Sequence, residues 1–313
     1  MRAPEFWQRR GALARLLAPL GMVYGASVAW NAKTARPFHA PLQVLCVGNL
    51  TAGGSGKTPV AIAIGQSLIA RGARPFFLSR GYGGREPGPV LAIEGDSASR
   101  VGDEALLLAR TAPTIVARDR AKGAMLANFE GASVLVMDDG HQNFSLHKNI
   151  SIIVVDGETG FGNGLMIPAG PLREKVAQGL GRADAVVIVG EGSPALDGFS
   201  GPTLRARLEV DGGRYRGQPV FAFAGIGRPE KFVASLQGAG AIVAGVKFFP
   251  DHHPYRAAEI AALRAAAKDT LLVTTEKDFV RLTPAQRQAI TALPVRAVFE
   301  DETALSALLE RLA

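Results

Sequence analysis

The chain has 313 residues, 47% hydrophobic and 20% charged, with 35 Lys and Arg, 28 Asp and Glu and one cysteine. That length corresponds to one large or two ordinary domains, and the composition excludes a disordered, collagen-like or disulfide-scaffold protein. Residues 1–40 hold six basic residues and one acidic, +5 of the net +7, so the positive charge belongs to an arm rather than a folded face, and no nucleic-acid partner is expected.

Within that arm, residues 16–30 carry no charge and include Leu, Met, Val, Tyr and Trp. A helix of this run alone is about 22 Å long, short of the roughly 20 apolar residues that span a bilayer. A signal peptide has the same layout of basic start, apolar run and small residues at Ala26-Ser-Val-Ala29. An interfacial helix fits too, with basic flanks and Trp7, Tyr24 and Trp30 at its borders, suited to an anionic leaflet. A helix packed on its own domain is the third reading.

Residues 42–47 form an apolar run that reads as a buried strand, which makes Cys46 a core residue rather than a nucleophile. Next comes Val47-Gly-Asn-Leu-Thr-Ala-Gly-Gly-Ser-Gly-Lys-Thr-Pro59, then a helical stretch at 60–71 ended by Gly72. Strand, glycine-rich loop and helix are the context of a Walker A phosphate loop. Gly53, Gly54, Ser55 and Gly56 let backbone N–H groups approach phosphates, and the helix N-terminus adds its dipole. Lys57 is placed to reach the β- and γ-phosphates of ATP, and the Thr58 hydroxyl to sit on Mg²⁺. Thr51 stands where the strict pattern has its first glycine. A segment suited to ATP directly after the arm conflicts with the signal-peptide reading.

Residues 74–79 read as a strand, 105–110 as a helix, 114–116 as extended and 118–129 as a helix. Val134-Leu-Val-Met137 is a buried strand running into Asp138-Asp139-Gly140, the form of a Walker B segment, whose carboxylate acts on Mg²⁺. The spacing does not say which aspartate is nearer the metal. Asp103 and Glu104 follow Gly102 at a helix start, where spacing alone favours a cap that complements the helix dipole. His39 and His147 stand in loop-like sequence. Asp251, His252 and His253 lie between two prolines in a rigid loop, an acid–base or orienting set more readily than a metal site.

Thr203 to Val210 and Arg214 to Arg216 flank Asp211-Gly-Gly213, a hairpin signal. Beyond it, 220–224, a helix from Pro229, 241–245, a helix from Ala257 and 271–274 alternate as β/α units. The expected fold is α/β: a P-loop NTPase-like domain with a mostly parallel sheet, joined by a β-hairpin linker to a smaller α/β C-terminal domain. The expected divisions are an arm at 1–40, a kinase domain at 41–200, the linker at 201–217 and the smaller domain at 218–313.

Taken together, the motifs resemble the tetraacyldisaccharide 4′-kinases of lipid A synthesis. The segments that carry the resemblance begin with Val47-Gly-Asn through Pro59, Leu78-Ser-Arg-Gly-Tyr-Gly-Gly84, Gly102-Asp-Glu104 and Asp138-Asp-Gly-His-Gln142. Pro168-Ala-Gly-Pro-Leu-Arg-Glu174, Phe223-Ala-Gly-Ile-Gly-Arg-Pro229, Phe249-Pro-Asp-His-His-Pro-Tyr255 and Thr274-Thr-Glu-Lys-Asp278 come next, in family order. The family's loop shares the Thr51 departure. Where its pattern runs Asp-Gly-x-Gln-His, this chain has Asp139-Gly-His-Gln-Asn143, so neither His141 nor Asn143 inherits a role.

The resemblance implies that ATP phosphorylates the 4′-hydroxyl of a tetraacylated glucosamine disaccharide 1-phosphate, with Mg²⁺ as cofactor. It implies a catalytic base at Asp103 paired with His252, and Lys57 as a catalytic cation. It also places Arg173 and Glu174 at the phosphate–metal site, with Asp138 and Asp139 as its acidic pair. An enzyme held through its N-terminal helix on anionic lipid at the cytoplasmic face of the inner membrane is expected. The competing function is a membrane-associated nucleotide-switch ATPase. Such proteins carry a Lys just before the Gly-Gly pair, where this chain has Ala52, and their membrane helix is usually C-terminal.

Overall fold

A computed structural model describes residues 4–93 and 95–312; Met1 to Ala3, with Arg2 of the basic arm, lie outside the described residues. A 3-10 turn at Glu5–Gln8 leads into α1 (Ala12–Thr34). After it come β1 (Gln43–Gly48), α2 (Lys57–Ala70), β2 (Pro75–Ser79), β3 (Val90–Ala92), α3 (Ala98–Val101), α4 (Asp103–Ala109) and β4 (Thr114–Val116). The chain continues through α5 (Arg120–Phe129), β5 (Val134–Asp138), β6 (Ile150–Asp156), α6 (Val176–Leu180), β7 (Ala185–Val189) and β8 (Thr203–Val210). These strands, with one that returns from the C-terminal end, build a sheet of nine.

The sheet order is β13-β8-β7-β6-β1-β5-β2-β4-β3, where β13 is Val295–Phe299. Every pairing is parallel except at the two edges, β3 on β4 and β13 on β8. Central strands of such a sheet are covered on both faces, which is why Val44 to Val47 and Val134 to Met137 are unbroken apolar runs. Cys46 is fully buried, and burial pushes its thiol up to about 11, so it is an inert core residue. The chain runs from β1 outward past β5 to β2, then returns to the other flank at β6. β1 is therefore a topological switch point, and α/β sheets bind ligands beyond the carboxyl ends of strands at such a point.

A smaller sheet of four parallel strands has the order β10-β9-β11-β12. Its elements are β9 (Pro219–Ala224), α7 (Pro229–Gly238), β10 (Ile242–Phe248), α8 (Ala257–Ala267), β11 (Leu271–Thr275), α9 (Glu276–Arg281), α10 (Pro284–Arg287) and β12 (Ile290–Leu293). Two apolar clusters hold it, one around Tyr215, Phe232 and Leu236 and one around Phe223, Tyr255 and Leu263. After β12 the chain returns to the large sheet. There α11 (Glu302–Glu310) buries Leu305, Leu308 and Leu309 in the same core as Leu45, Ile64 and Phe77.

Two expectations need correction. There is no β-hairpin at 203–216. β8 pairs with β7 on one side and with the distant β13 on the other, Val210 opposite Val295. Its ladder is then full, and Gly213–Tyr215 turns as a 3-10 segment. Tyr215 is buried in the smaller core, its hydroxyl donating to Ala292 O at 2.9 Å, which a returning strand would not allow. The apolar arm is also longer than its uncharged run. Residues 12–15 and 31–34 extend α1 to 23 residues, long and apolar enough to cross a membrane by length and composition.

One face of α1 packs on the body through Ala14, Gly21 and Gly25, the two glycines lying against Met166. The other face exposes Leu16, Leu20, Met22, Val23 and Trp30. Trp7 Nε1 donates to Pro168 O at 3.0 Å and Arg10 Nε to Asn163 O at 2.9 Å. These contacts tie the arm to the loop that leads into Arg173 and Glu174.

Glycine 65 shows how tightly α2 sits on the sheet: a Cβ there would meet Phe77 Cζ at 2.5 Å. Gly65→Val is expected to cost about 1–3 kcal/mol by overpacking. Thermal unfolding checks it, and an unchanged midpoint would contradict the packing described.

Candidate active site

Residues 49–56 leave the carboxyl end of β1 and turn into α2. Gly56 takes φ 84° and Gly53 φ 126°, conformations that favour glycine. A Cβ at Gly53 or Gly54 would meet nothing within 4 Å, so that stretch is open where a ligand would lie. Asn49 braces the loop from behind, its Nδ2 donating to Thr51 O at 2.7 Å and to Ser55 Oγ at 3.0 Å. Thr51 bridges to Leu172, which gives this position a structural use in place of a glycine.

Asp138 ends β5 beside β1, in register with Val47. Thr58 Oγ1 donates to Asp138 Oδ2 at 3.0 Å, while the buried Oδ1 has no hydrogen-bond partner. Burial pushes Asp138 up to about 7, and the neighbouring charge of Glu104 adds to it. Asp139 differs. Burial raises it, but Lys57 and Arg173 outweigh burial and bring it down to about 2. Arg173 Nη1 lies 2.7 Å from Asp139 Oδ1 and Lys57 Nζ 3.7 Å from it. One carboxylate is thus neutralised by cations, and the other is buried and short of a positive partner.

Gln142 joins these groups to Glu174. Its Nε2 donates to Glu174 Oε1 at 2.9 Å and to Asn49 O at 2.8 Å. Glu174 is buried and paired with Arg182, and it also contacts Gln142 and the His141 ring. His141 is a core histidine. Its Nδ1 meets Ser151 Oγ at 2.9 Å and its Nε2 meets Gly179 O at 3.2 Å. Burial pulls its pKa down to about 3, so the ring is neutral. His39 and His147 stack on each other, their centroids 4.1 Å apart.

Asp103 opens α4, capped by Gly102, and is 3% exposed. It is more than a helix cap, because the smaller sheet reaches it twice. His252, held at φ 57° in the loop after β10, brings Nδ1 to 3.0 Å from Asp103 Oδ2. Arg281, at the end of α9, donates Nε to the same oxygen at 2.9 Å and also Nη2. Asp103 Oδ1 accepts the Glu104 amide at 2.9 Å. Burial is the largest single effect on Asp103 and raises it. The His252 hydrogen bond and the Arg281 and Lys277 charges overcome burial and hold it well below the usual carboxylate range. Lys277 Nζ pairs with Glu104 Oε1 at 2.7 Å, and Glu104 is the charge felt at Asp138. The Asp103 cluster and the Thr58–Asp138 cluster therefore adjoin.

His253 points elsewhere, with Nε2 on the Glu259 carboxylate at 3.0 Å and its ring stacked on Phe249. Tyr82, from the glycine-rich segment after β2, lies edge-on to His252 at 5.3 Å. Lys57, Thr58, Asp138, Asp139 and Arg173 gather in one cluster and Asp103 with His252 in the next. Arg281, Lys277, Gln142, Arg182 and Tyr82 were not singled out from sequence as site residues. Lys277, Gln142 and Tyr82 belong to segments that carried the family resemblance, which was the one available signal.

Residues 13–313 match the family model LpxK, described as tetraacyldisaccharide-1-P 4′-kinase. The tetraacyldisaccharide 4′-kinase of Paramagnetospirillum magneticum is 49% identical over 321 residues, spanning 100% of this chain and 99% of that relative. The Rhodospirillum rubrum protein of the same name is 50% identical over 326 residues, spanning 100% and 98%. A crystal structure of LpxK from Aquifex aeolicus in complex with ATP superposes with a TM-score of 0.79 at 26% identity, covering 96% of this chain and 99% of that one. With a family model matching nearly the whole chain and full-length relatives at half identity, this protein belongs to the tetraacyldisaccharide-1-P 4′-kinase family.

Proposed function

We propose that this chain transfers the γ-phosphoryl group of ATP to the 4′-hydroxyl of a tetraacylated glucosamine disaccharide 1-phosphate. The observation that carries the reading is the adjacency of two clusters. A phosphate loop with Lys57 and Thr58 lies at the switch point of the large sheet, and the buried Asp103, held by His252, opens α4, which packs on α2. A nucleotide switch has no need of the second cluster.

In this reading Lys57 and the loop amides hold the β- and γ-phosphates, and Arg173 faces the same charge. The donor set fits Mg²⁺, a hard cation that takes oxygen ligands and usually uses only one or two carboxylates beside phosphates. Thr58 Oγ1 and Asp138 would hold it, because Asp138 Oδ1 is buried without a partner. Asp139 is engaged by cations and Glu174 by Arg182, which leaves them supporting parts. Bound there, Mg²⁺ would supply positive charge against the triphosphate. Asp103 is the base: Oδ1, which carries only the Glu104 amide, has a lone pair for the acceptor hydroxyl's proton. His252 fixes the carboxylate from the other sheet. With His252, Arg281 and Lys277 already seated on α4, the smaller unit covers the base and helps to exclude water.

The acceptor is a lipid, and α1 supplies the means to meet it. Its exposed Leu, Met, Val and Trp would enter the interface of an anionic bilayer at the cytoplasmic face of the inner membrane, where ATP is present. A cleft of about 340 Å³ opens between α1 and α6, bordered by Lys33 and by the Arg182–Glu174 pair, on the side of the body that carries the exposed helix. Full-length protein should float with anionic vesicles, and less so as salt rises. A chain beginning at Ala40 should stay behind; equal flotation of the two would remove α1 as the anchor.

The reading is tested with labelled ATP and two acceptors, the detergent-dispersed tetraacyl disaccharide 1-phosphate and its deacylated counterpart. Label should pass to the acylated acceptor far faster. Equal transfer to both would point to a soluble sugar kinase, and acceptor-independent release of phosphate to a switch ATPase.

A further inference from the structure

Three residues of the smaller unit reach Asp103 or its helix, His252, Lys277 and Arg281, and Asp278 stands behind Arg281. Arg281 holds the Asp103 carboxylate most directly, with two donors on one oxygen. Its side chain is 5% exposed. Nε and Nη2 both donate to Asp103 Oδ2, while Nη1 donates to Asp278 Oδ1 at 2.8 Å and to Gly225 O at 2.8 Å. Asp278 is itself completely buried. It accepts from the Gly225 amide at 3.1 Å, from the Tyr255 hydroxyl at 2.8 Å and from Thr275 Oγ1 at 2.7 Å. The Asp278 amide donates back to Thr275 Oγ1 at 3.1 Å. A planar five-donor fork whose counter-ion is itself fixed by three other groups has little freedom to turn.

We propose that Arg281 is a positioning residue for phosphoryl transfer, aiming the Asp103 carboxylate and keeping it ionised, with Asp278 and Tyr255 as the anchor that fixes the guanidinium. The proposal rests on the reading of Asp103 as the base. It also gives the Thr274-Thr-Glu-Lys-Asp278 segment a use. Thr275 caps α9, Lys277 neutralises Glu104, and Asp278 orients Arg281, so the segment delivers two cations from the smaller unit to α4 of the larger one.

The physical need is clear. A carboxylate removed from water at a helix start takes up a proton unless cations oppose it. The charged or titratable groups that face Asp103 are Arg281 and Lys277 from α9 and His252 from the loop after β10. Asp251 stands behind His252, and Glu104 is on its own helix. Arg281 alone among the cations touches the carboxylate with two donors. Without it, burial is opposed by Lys277, His252 and the Glu104 amide alone, and the proton affinity of Asp103 rises.

The test is the pH dependence of kcat/KM with saturating ATP for wild type, Arg281→Met, Arg281→Lys and Asp103→Asn. Thermal shift by ATP serves as the check that each variant folds. Arg281→Met should lose activity at neutral pH and show an acidic limb at least about one unit above that of wild type, because an opposite charge this close is worth one to three units. Activity then recovers partly as pH rises, since the base regains its ionised form. Arg281→Lys keeps the charge without the fork, so its limb should stay near wild type while kcat falls about tenfold or more from lost alignment. A uniform loss in Arg281→Met with no movement of the limb overturns the positioning role. Should Arg281→Met fail to fold, Arg281→Lys decides: wild-type kcat in that variant overturns it equally. Asp103→Asn separates the two layers. If it stays active, the base assignment fails; if it is inactive while the Arg281→Met limb is unmoved, only the role of Arg281 fails.

Discussion

Lys57→Ala is expected to lower turnover by two or more orders of magnitude while leaving the fold intact. The ammonium stands at the first residue of α2, directly after a loop in which Gly53 and Gly54 face open space. It is the one lysine side chain of residues 47–59. Clamps on a transferring phosphoryl group act where charge develops, and removing one such group costs about 2.7 kcal/mol or more, which is a hundredfold. The fold should survive because Asp139, the partner of Lys57, keeps Arg173 at 2.7 Å. Asp138, already buried and raised, loses the opposing charge of Lys57 and takes up a proton more readily, so it is not left as a bare buried charge. The readout is turnover with saturating lipid acceptor, with a thermal melt as control. Near-normal turnover in a folded Lys57→Ala protein would remove the ATP site from this loop.

A second large effect concerns Asp103 and His252, which should behave as one unit. Asp103→Asn keeps the shape and removes the base. His252→Asn is the matching change, because asparagine tolerates the φ of 57° held there and alanine does so less well. Each single change should lower turnover by about two orders of magnitude or more. The double variant should be little worse than the poorer single, since residues that act together give non-additive losses. His253→Asn is the control, a neighbouring histidine tied to Glu259 and not to Asp103. ATP binding should persist in all four. Strictly additive losses, or a larger loss at His253 than at His252, would reject the pair.

The parts of the site that are contiguous in the chain were legible in the sequence. The phosphate loop needs only a strand, a glycine-rich turn and a helix in succession, and residues 43–70 provide them in that order. Asp138 was legible because a short apolar run ending in aspartate is a local pattern. Asp103 was not legible from spacing, which favours a helix cap. What makes it more than a cap are His252 and Arg281, 149 and 178 residues away. The same distance effect explains the missing hairpin. Val210 and the Gly-Gly turn carry the local signal, but β13 lies 85 residues on and takes the ladder. Composition marked α1 as apolar, yet its ends hold Arg15 and Lys33, so the charged flanks concealed a helix of 23 residues.

Incubating the purified full chain with ATP, Mg²⁺ and tetraacyl disaccharide 1-phosphate in detergent shows whether the phosphate loop and the Asp103–His252 pair serve one transfer to a lipid sugar. The product is then read by mass and by phosphorus–proton correlation to locate the new phosphate. One added phosphate is expected, on the 4′-oxygen, formed by wild type and not by Asp103→Asn. ATP consumed without any phosphate on the lipid, or an Asp103→Asn protein that forms the same product at the wild-type rate, would contradict a joint role for the loop and the pair.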